Sequence, residues 1–338
     1  MKNFEMLVPA TLKDAVESLP EERTNPLNAQ TIRILAGGQD LLPELKDHVA
    51  EPDVVVNVKG VAELGSDIGQ VAQGQVLGMP SIEIGALTSV AALARNPLIR
   101  GQFAVLSEAA ESIATPQIRT QATVGGNLCQ RPRCWYYRNE ETVCLKKGGD
   151  ECFSYAGLNK YNAILGGGPS YIVHPSDLAT ALLCIGAKLV TTQRVLSVSD
   201  FFTLPSESDP TRENVLEPNE VIRSIELGQS RTADTGWKST YIKFMERESF
   251  DFAISAVALM LEFDGDRIAE ARMCLGGVAP IPWRCESTEK LLVGRTIDDK
   301  LCEEAGEDAL RGAEPLEFNE YKIPLTKSLI AKALRELA

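Results

Sequence analysis

Four of the eight cysteines in this chain fall in one short window, directly after a Gly-Gly turn. They are Cys129, Cys134, Cys144 and Cys152, with the spacing C-x4-C-x9-C-x7-C. Thiolates at such spacing can converge on one soft metal centre. The segment 130–170 around them is polar, aromatic and rich in glycine, with little periodicity. A loop this long in a folded protein is usually functional or held in place by additional contacts. We expect the cysteines to provide those contacts.

The residues alone leave three kinds of site open for this cysteine window. One is an iron–sulfur cluster held by four thiolates, another is a structural zinc site, and in the third the cysteines bind nothing. The spacing matches neither the common ferredoxin patterns nor the paired C-x2-C of structural zinc sites. Basic side chains in the window would offset the charge of a thiolate-bound cluster, and they are Arg131, Arg133, Arg138, Lys146 and Lys147.

The net charge limits the kinds of partner that the protein can bind, and the N-terminus and the cysteines indicate its compartment. The formal net charge is −13 with no basic stripe, which argues against a nucleic-acid partner and suits docking to a complementary protein surface. No stretch is long and apolar enough to predict a membrane span, and the N-terminus lacks a signal-peptide pattern. Cysteines without a secretion signal favour reduced thiols or metal ligands. We therefore expect a cytoplasmic protein, and export in complex with a signal-bearing partner stays open.

The patterning divides the chain into three parts. In 1–57, strands alternate with helices, which predicts a small α/β unit. The part 58–228 mixes both element types and ends in a proline-rich acidic loop at 203–219. From 235 onward, strands precede helices, which predicts a separate α+β domain. In the last part we predict strands at 239–244, 253–263 and 267–275, a hairpin turn at 264–266, and helices at 284–292, 298–312 and 325–337.

Two glycine turns suggest an organic ligand. The first is Ala36-Gly37-Gly38-Gln39-Asp40-Leu41, between a predicted strand at 32–35 and a helix. The second is Thr123-Val124-Gly125-Gly126-Asn127, which we predict to run from a strand into a turn. Glycine lets the backbone approach a phosphate closely, although the G-x-G-x-x-G pattern of dinucleotide sites is absent. A single Gly-Gly turn most often has only a structural role. Two of them favour a binding site for the diphosphate of a cofactor.

Two charged residues have both a structural and a functional interpretation. Asp177 follows Ser176 at the start of a helix predicted over 176–186, where a carboxylate is most often an ordinary N-cap. Lys243 lies in a predicted strand, and in isolation an exposed sheet face is its better explanation. The alternative for both is contact with a polar or anionic ligand. The sequence contains no H-E-x-x-H motif and no convincing nucleophile triad.

Together these motifs resemble the FAD-binding (medium) subunit of the molybdenum hydroxylases, the family of xanthine dehydrogenase and carbon monoxide dehydrogenase. The matching residues keep their order over essentially the whole chain. The resemblance implies a vanillyl-alcohol-oxidase-type FAD domain in two parts, 1–57 and 58–228, followed by a small α+β domain at 235–338. The fold class is thus α+β. The matching segments are Leu35–Leu42, Ala122–Asn127, Pro175–Leu178 and Lys243 with Arg247 and Asp251.

The resemblance also implies roles for individual residues. The two glycine turns would hold the FAD pyrophosphate, and Ile113 and Ala114 would lie near the flavin or adenine. Asp177 would contact the ribityl or nearby polar groups, and Lys243 would lie near the isoalloxazine edge. The cofactor-binding residues are thus Ala36, Gly37, Gly38, Gln39, Asp40, Leu41, Ile113, Ala114, Thr123, Gly125, Gly126, Asn127, Asp177 and Lys243.

The cysteine-bearing insertion, about 128–170, is similar to one in the 4-hydroxybenzoyl-CoA reductase β subunit and in an aldehyde oxidoreductase flavoprotein subunit, which carry a [4Fe–4S] cluster there. Cys134, Cys144 and Cys152 match three of its ligands. The fourth is expected just before His174, where this chain has Gly168-Pro169-Ser170-Tyr171 and no cysteine. Cys129 is therefore the predicted substitute.

The function implied is electron transfer in a heteromeric enzyme. A large molybdopterin subunit would oxidise the substrate, and a small subunit would carry two [2Fe–2S] clusters. Electrons would pass through FAD and the [4Fe–4S] cluster of this chain to an external acceptor, in a heterotrimer or a pair of them. Two other classes remain: a stand-alone flavin oxidoreductase, and a zinc-stabilised scaffold subunit without a redox role.

Overall fold

Three separate β-sheets organise the chain in the computed structural model, which describes residues 1–24, 26–71, 81–228 and 231–338. The first sheet is parallel, with strand order β1-β3-β2, and is flanked by two short helices. Its strands β2 and β3 are rich in β-branched residues, which suit strand pairing, and β3 at the centre of the sheet contains its buried positions. The elements are β1 (Glu5–Leu7), α1 (Leu12–Glu17), β2 (Ile32–Leu35), α2 (Leu41–Lys46) and β3 (Val54–Asn57).

The second sheet is antiparallel, with strand order β4-β5-β8-β6-β7. Its central strand, β8, has no counterpart among the sequence predictions. Glu226 interrupts its apolar pattern, yet this carboxylate is buried and accepts a hydrogen bond of 2.8 Å from Ser81. Because a buried charged residue interrupts the apolar pattern, the sequence alone does not reveal this strand. The strands are β4 (Ile68–Val71), β5 (Ser81–Gly85), β6 (Lys188–Thr191), β7 (Val195–Ser197) and β8 (Ile222–Leu227).

Eight helices lie between β5 and β8 along the described chain. The fully buried helix among them, α9, is capped by the Ser176 hydroxyl, which accepts from the Ala179 N–H at 3.0 Å. It ends at Gly186, whose φ of +80° suits glycine. The helices are α3 (Val90–Arg95), α4 (Pro97–Gln102), α5 (Ala104–Glu111), α6 (Pro116–Gln121), α7 (Val124–Leu128), α8 (Trp135–Arg138), α9 (Asp177–Ile185) and α10 (Val198–Phe201).

The third sheet has the antiparallel order β12-β11-β10-β9 and both of its faces are covered. Residues 255–261 of its β10 strand are all buried, which explains the unbroken apolar run in the sequence. One face packs into the hydrophobic core that also contains the second sheet and α9, and α11–α13 cover the other. The elements are β9 (Trp237–Phe244), β10 (Ser255–Asp264), β11 (Arg267–Gly276), β12 (Trp283–Arg284), α11 (Glu286–Leu292), α12 (Asp299–Ala309) and α13 (Lys322–Leu337).

The architecture confirms the predicted α+β class and the order of strands before helices in the last part. One local prediction is wrong. The segment 123–127 is not a strand that enters a turn but the start of the short helix α7, because the Thr123 hydroxyl caps the Gly126 N–H at 3.2 Å. The domain boundaries remain predictions. No helix within the described ranges combines the length and apolar character needed to cross a bilayer.

Candidate cofactor site

One cavity of about 560 Å³ lies where loops of all three sheets meet. All fourteen residues predicted to bind the cofactor line it. They come from separate places in the chain, so the tertiary fold gathers what the sequence shows only as scattered motifs. The lining residues include Ala36, Gly37, Gly38, Gln39, Asp40, Leu41, Ile113, Ala114, Thr123, Gly125, Gly126, Asn127, Asp177 and Lys243.

The first glycine segment connects β2 to α2 and approaches a neighbouring loop very closely. A Cβ atom on Gly37 would lie 2.3 Å from the carbonyl oxygen of Gln121 and 3.0 Å from the Cα of Ala122. Backbone atoms cannot yield to such contacts, so only glycine fits there. Gly38 has a φ of +74°, in the left-handed region that also favours glycine. The glycine pair therefore serves both close approach and turn geometry.

The second glycine segment forms the first turn of α7. A Cβ atom on Gly125 would lie 3.1 Å from that of Ala86, so packing accounts for this glycine. A Cβ on Gly126 would meet only the Thr123 hydroxyl at 2.8 Å and the Ala36 Cβ at 4.0 Å. Gly126 is thus not needed to fill a packed interior, and its missing side chain leaves room in the cavity.

Asp177 and Lys243 form a buried ion pair in the cavity wall. Their side chains are 5% and 3% exposed, and the Lys243 Nζ lies 2.9 Å from the Asp177 Oδ2. The Tyr241 hydroxyl donates to the other carboxylate oxygen at 2.7 Å, and burial raises the pKa of Tyr241 well above its usual value. Ser176, not Asp177, caps α9. Of the two predicted cap candidates, Ser176 and Asp177, the structure thus has Ser176, and the interpretation of Lys243 on an exposed sheet face is wrong.

Two strained residues join the cavity walls. Ala114 and Phe250 both line the cavity and have φ values of +44° and +57°, which are uncommon for residues other than glycine. The Phe250 N–H donates to the Ala114 carbonyl at 3.3 Å. This hydrogen bond ties the end of α5 to the loop between β9 and β10. Such backbone strain persists where the surrounding structure enforces it, which is most often at functional sites.

Asp40 anchors the cysteine-bearing insertion to the cavity. Its carboxylate pairs with Arg133 and with Arg138, the latter at 2.6 Å. It also accepts from the Arg131 N–H at 2.6 Å. Burial opposes ionisation, but the two guanidinium groups outweigh it and lower the pKa of Asp40 to about 2. The side chain therefore holds the insertion in place.

The basic residues of the insertion have other partners than the cysteines. Arg131 and Lys146 form buried ion pairs with Glu213, at 2.8 and 2.7 Å. Arg133 and Arg138 pair with Asp40, as described above. Lys147 has Cys134 and Cys144 among the charges that act on its ammonium group, and Lys146 has Cys144. Four of the five basic residues thus also have carboxylate partners, and their role in offsetting the charge of a cluster stays a prediction.

Three of the four predicted thiolate ligands are neighbours. Burial, and after it the nearby Cys152, raise the pKa of both Cys134 and Cys144. The Asn162 side chain spans Cys134 Sγ, at 3.9 Å, and the carbonyl oxygen of Tyr171, at 3.0 Å. The segment that precedes His174 thus runs beside this group of thiols.

Cys129 lies elsewhere, at the end of α7 and in the wall of the 560 Å³ cavity. Burial, and after it Asp40, raise its pKa to about 12, with no contribution from the other thiols. In the stretch 168–171, where a fourth cysteine is expected, Ser170 is 1% exposed. Across residues 1–24, 26–71, 81–228 and 231–338, no three His, Cys, Asp or Glu side chains are arranged as a metal site. The predicted four-ligand set is therefore not assembled in the described chain.

Several residues that line the cavity were not among the predicted cofactor-binding residues. They come from β2, from α6 and the residue after it, from the insertion, from the segment before α9 and from the loop between β9 and β10. An alternating pattern at 32–35 signals only that Arg33 faces one side of a strand, and nothing local marks the aromatic pair 250 and 252. The additional residues include Arg33, Ile118, Ala122, Arg133, Arg138, Pro175, Phe250 and Phe252.

The residues of this cavity fit a flavin dinucleotide. Apart from the Thr123 hydroxyl, no atom lies closer than 4.0 Å to a Cβ at Gly126, the two glycine segments present backbone to the cavity, and a buried cation lies in its wall at Lys243. These features supply the space for a diphosphate and a charge for an electron-accepting ring. The cysteine segment offers thiols, the donors that iron and zinc prefer, but without the geometry of a formed site.

Comparisons with known proteins agree on one family. The family described as the FAD binding domain in molybdopterin dehydrogenase matches residues 2–229, and the CO dehydrogenase flavoprotein C-terminal domain matches residues 240–337. The chain is 32% identical to the aldehyde oxidoreductase FAD-binding subunit PaoB of Escherichia coli K12, over 92% of this chain and 93% of that protein. It is 24% identical to the carbon monoxide dehydrogenase medium chain of Hydrogenophaga pseudoflava, over 98% and 96% of the two chains.

Solved structures show the same fold. The chain superposes with a TM-score of 0.73 on a carbon monoxide dehydrogenase from Hydrogenophaga pseudoflava that lacks the Mo-pyranopterin moiety, with 23% identity over 98% of this chain and 96% of that one. The TM-score is 0.72 for quinoline 2-oxidoreductase from Pseudomonas putida 86, with 21% identity over 100% and 98% of the two chains. The FAD-type region and the following α+β region thus occur in the same arrangement in known proteins.

Proposed function

Because this chain belongs to the FAD-binding subunits of the molybdopterin dehydrogenases, an oxidoreductase family, we propose that it carries FAD in the 560 Å³ cavity and passes electrons to an external acceptor. One observation carries the site assignment. The fourteen residues that the sequence motifs select from distant parts of the chain all line this one cavity. A chance set of surface turns would not converge in this way.

Each wall has its own task in this proposal. The backbone around Gly37 and Gly126 holds the pyrophosphate, since glycine there leaves room for a close approach. Lys243 lies near the isoalloxazine, where its positive charge favours the reduced ring. Asp177 holds the Lys243 ammonium group in place, because the two are paired at 2.9 Å in a buried setting. FAD supplies the redox chemistry, and the chain supplies orientation and charge.

The proposal includes two partner subunits. Relatives of this chain carry names such as medium chain and FAD-binding subunit, which support a heteromeric assembly. We propose a large molybdopterin subunit that oxidises the substrate and a small [2Fe–2S] subunit that feeds electrons to FAD, in a heterotrimer or a dimer of heterotrimers. The net charge of −13 suits docking to complementary surfaces, and assembly would take place in the cytoplasm.

A [4Fe–4S] cluster at the cysteine segment is a separate part of the proposal. The mutual proximity of Cys134, Cys144 and Cys152 supports it, and thiols are the usual ligands of such clusters. The position of Cys129 in the cavity wall argues against it as the fourth ligand. The iron and zinc content of the anaerobically purified chain tests this part. About four irons per chain would support it, and zinc or no metal would remove it.

Gly126→Asp tests the FAD assignment. The new carboxylate would enter the space beside the pyrophosphate and repel it, so we expect the flavin-to-protein ratio to fall at least tenfold. Gly101→Asp is the matched control, because no atom lies within 4 Å of a Cβ at that position of α4. The measurement is the flavin absorbance of the purified chain, with circular dichroism to verify folding. Full flavin retention in folded Gly126→Asp protein would refute the site.

A further inference from the structure

Tyr241 and Lys243 contact the same carboxylate from one face of β9. Residues two apart in a strand point to the same side, and both side chains reach Asp177 at the start of α9. The Tyr241 hydroxyl donates to Oδ1 at 2.7 Å, and the Lys243 ammonium pairs with Oδ2 at 2.9 Å. Each oxygen of this buried carboxylate thus has its own donor, one neutral and one charged.

The Tyr241 side chain is held in place from several sides. It is 8% exposed and belongs to the hydrophobic core that also contains residues of α5 and α9. Its backbone N–H donates to the Glu108 carboxylate of α5 at 2.7 Å. Tyr241 is outside the described set of residues that line the cofactor cavity, whereas Asp177 and Lys243 belong to that set. Any effect of Tyr241 on a bound cofactor therefore passes through these two neighbours.

The Lys243 ammonium has a donor to spare. An ammonium group carries three N–H donors. Within the described chain, one of them has Asp177 as its acceptor and another has the carbonyl oxygen of Ser112, at 3.2 Å. Because Lys243 lines the cavity, the third N–H is available to the cofactor. The positive charge that acts on the cofactor then depends on how far Asp177 neutralises this ammonium group.

We propose that Tyr241 is a positioning residue that sets the balance between oxidised and reduced flavin. This inference rests on the proposed function, because it needs FAD beside Lys243. The hydroxyl fixes the orientation of the Asp177 carboxylate and draws part of its charge away from Lys243. The ammonium group keeps more charge for the flavin, which becomes an anion when it takes up two electrons and one proton, the electrons coming from the proposed [2Fe–2S] subunit.

The test compares Tyr241→Phe with the unchanged chain, each purified with bound FAD. Phenylalanine keeps the packed ring and removes only the hydroxyl. Reductive titration with dithionite and indicator dyes measures the two-electron midpoint potential of the flavin without any turnover. We expect Tyr241→Phe to bind reduced FAD about 3- to 10-fold more weakly relative to oxidised FAD, which corresponds to a potential lower by about 15 to 30 mV.

Tyr137→Phe is the matched control. The Tyr137 hydroxyl also donates to a buried carboxylate, that of Glu44, at 2.6 Å. Both residues are outside the described lining of the cofactor cavity. The loss of a buried hydrogen bond should lower the stability of both variants, whereas the flavin potential should fall in Tyr241→Phe alone.

Asp177→Asn is the second variant. Without the carboxylate charge, Lys243 acts on the flavin undiminished, so we expect reduced FAD to bind more tightly relative to oxidised FAD and the potential to rise. In this background Tyr241→Phe should change the ratio of the two affinities by less than about twofold, because the charge that the hydroxyl modulates is gone.

An unchanged or higher potential in Tyr241→Phe would overturn the proposal, and so would an equal fall in Tyr137→Phe or in the Asp177→Asn background. If Tyr241→Phe does not fold, Asp177→Asn decides alone, and a potential that does not rise there overturns the proposal. FAD content is measured on the same samples. A chain without FAD refutes the proposed function and this inference with it, whereas bound FAD with an unmoved potential refutes this inference alone.

Discussion

The candidate cofactor cavity and the cysteine segment differ in how many of their predicted residues lie together in the structure. All fourteen residues predicted for the cavity line it. The four predicted metal ligands do not form one site, since Cys129 lies in the cavity wall while the other three lie in the loop. The cavity residues sit at the ends of regular elements, whose positions backbone hydrogen bonds define. Cys129 ends α7, whereas Cys134, Cys144 and Cys152 lie in an insertion whose only described helical elements are α8 and one short 3-10 helix, so their spacing along the chain constrains their spatial arrangement only weakly.

The largest expected effect concerns which cysteines hold metal. If the three neighbouring thiols carry the cluster, Cys152→Ser loses nearly all iron, whereas Cys129→Ser keeps it. Ser170→Cys should raise iron retention, because the neighbouring Tyr171 lies near Cys152 and shares the Asn162 side-chain amide with Cys134. Iron and flavin are measured per chain after anaerobic purification. If Cys129→Ser loses iron and keeps FAD, Cys129 is a cluster ligand after all. The predicted ligand set would then be as correct as the predicted cavity lining.

The buried pair in the cavity gives the next effect. Lys243→Met leaves Asp177 buried without its cation, so we expect the free energy of unfolding to fall by about 3 to 5 kcal/mol. Replacing both residues, as Lys243→Met with Asp177→Leu, should restore much of that loss. Urea unfolding of the flavin-free chain measures stability, and flavin binding is measured separately.

The exposed pair Lys13 and Glu17, 3.7 Å apart in α1, is the control for loss of one charge. Lys13→Met should have little effect on unfolding. Equal effects of Lys13→Met and Lys243→Met would show that burial does not strengthen the pair in the cavity wall.

The smallest effect is a pH dependence at the junction of the two regions. Burial lowers the pKa of His174 to about 3, so the unfolded chain binds a proton between pH 6.5 and 3 that the folded chain does not. Stability should therefore be complete above pH 6.5 and decline as the pH falls towards 3, by up to about 1.4 kcal/mol per pH unit. His174→Asn should flatten this decline.

Chemical denaturation between pH 7 and 4.5 measures the effect, above the range in which Asp40 titrates. His48→Asn, at a surface position with a φ of +52° that Asn tolerates, is the control for loss of one histidine. An unchanged slope in His174→Asn would mean that other groups produce the acid sensitivity.

Much of the fold was predictable because periodicity reports burial directly. The unbroken apolar run of β10 and the glycine after α9 both signalled their elements. The central strand β8 was missed because Glu226 is buried with the Ser81 hydroxyl as a partner, which no local pattern shows. The start of α7 was mistaken for a turn, since two glycines disfavour a helix unless a cap such as Thr123 stabilises it.

Local periodicity and glycine geometry, which are properties of short segments, determined most of the element types, and the resemblance of the motifs to a known family selected fourteen residues that line one cavity. Only the tertiary structure decided the electrostatic partners. It paired Lys243 with Asp177, directed Arg133 and Arg138 to Asp40, and separated Cys129 from the other thiols. Charges and thiols act through space over a few ångströms, and separation along the chain does not specify that distance.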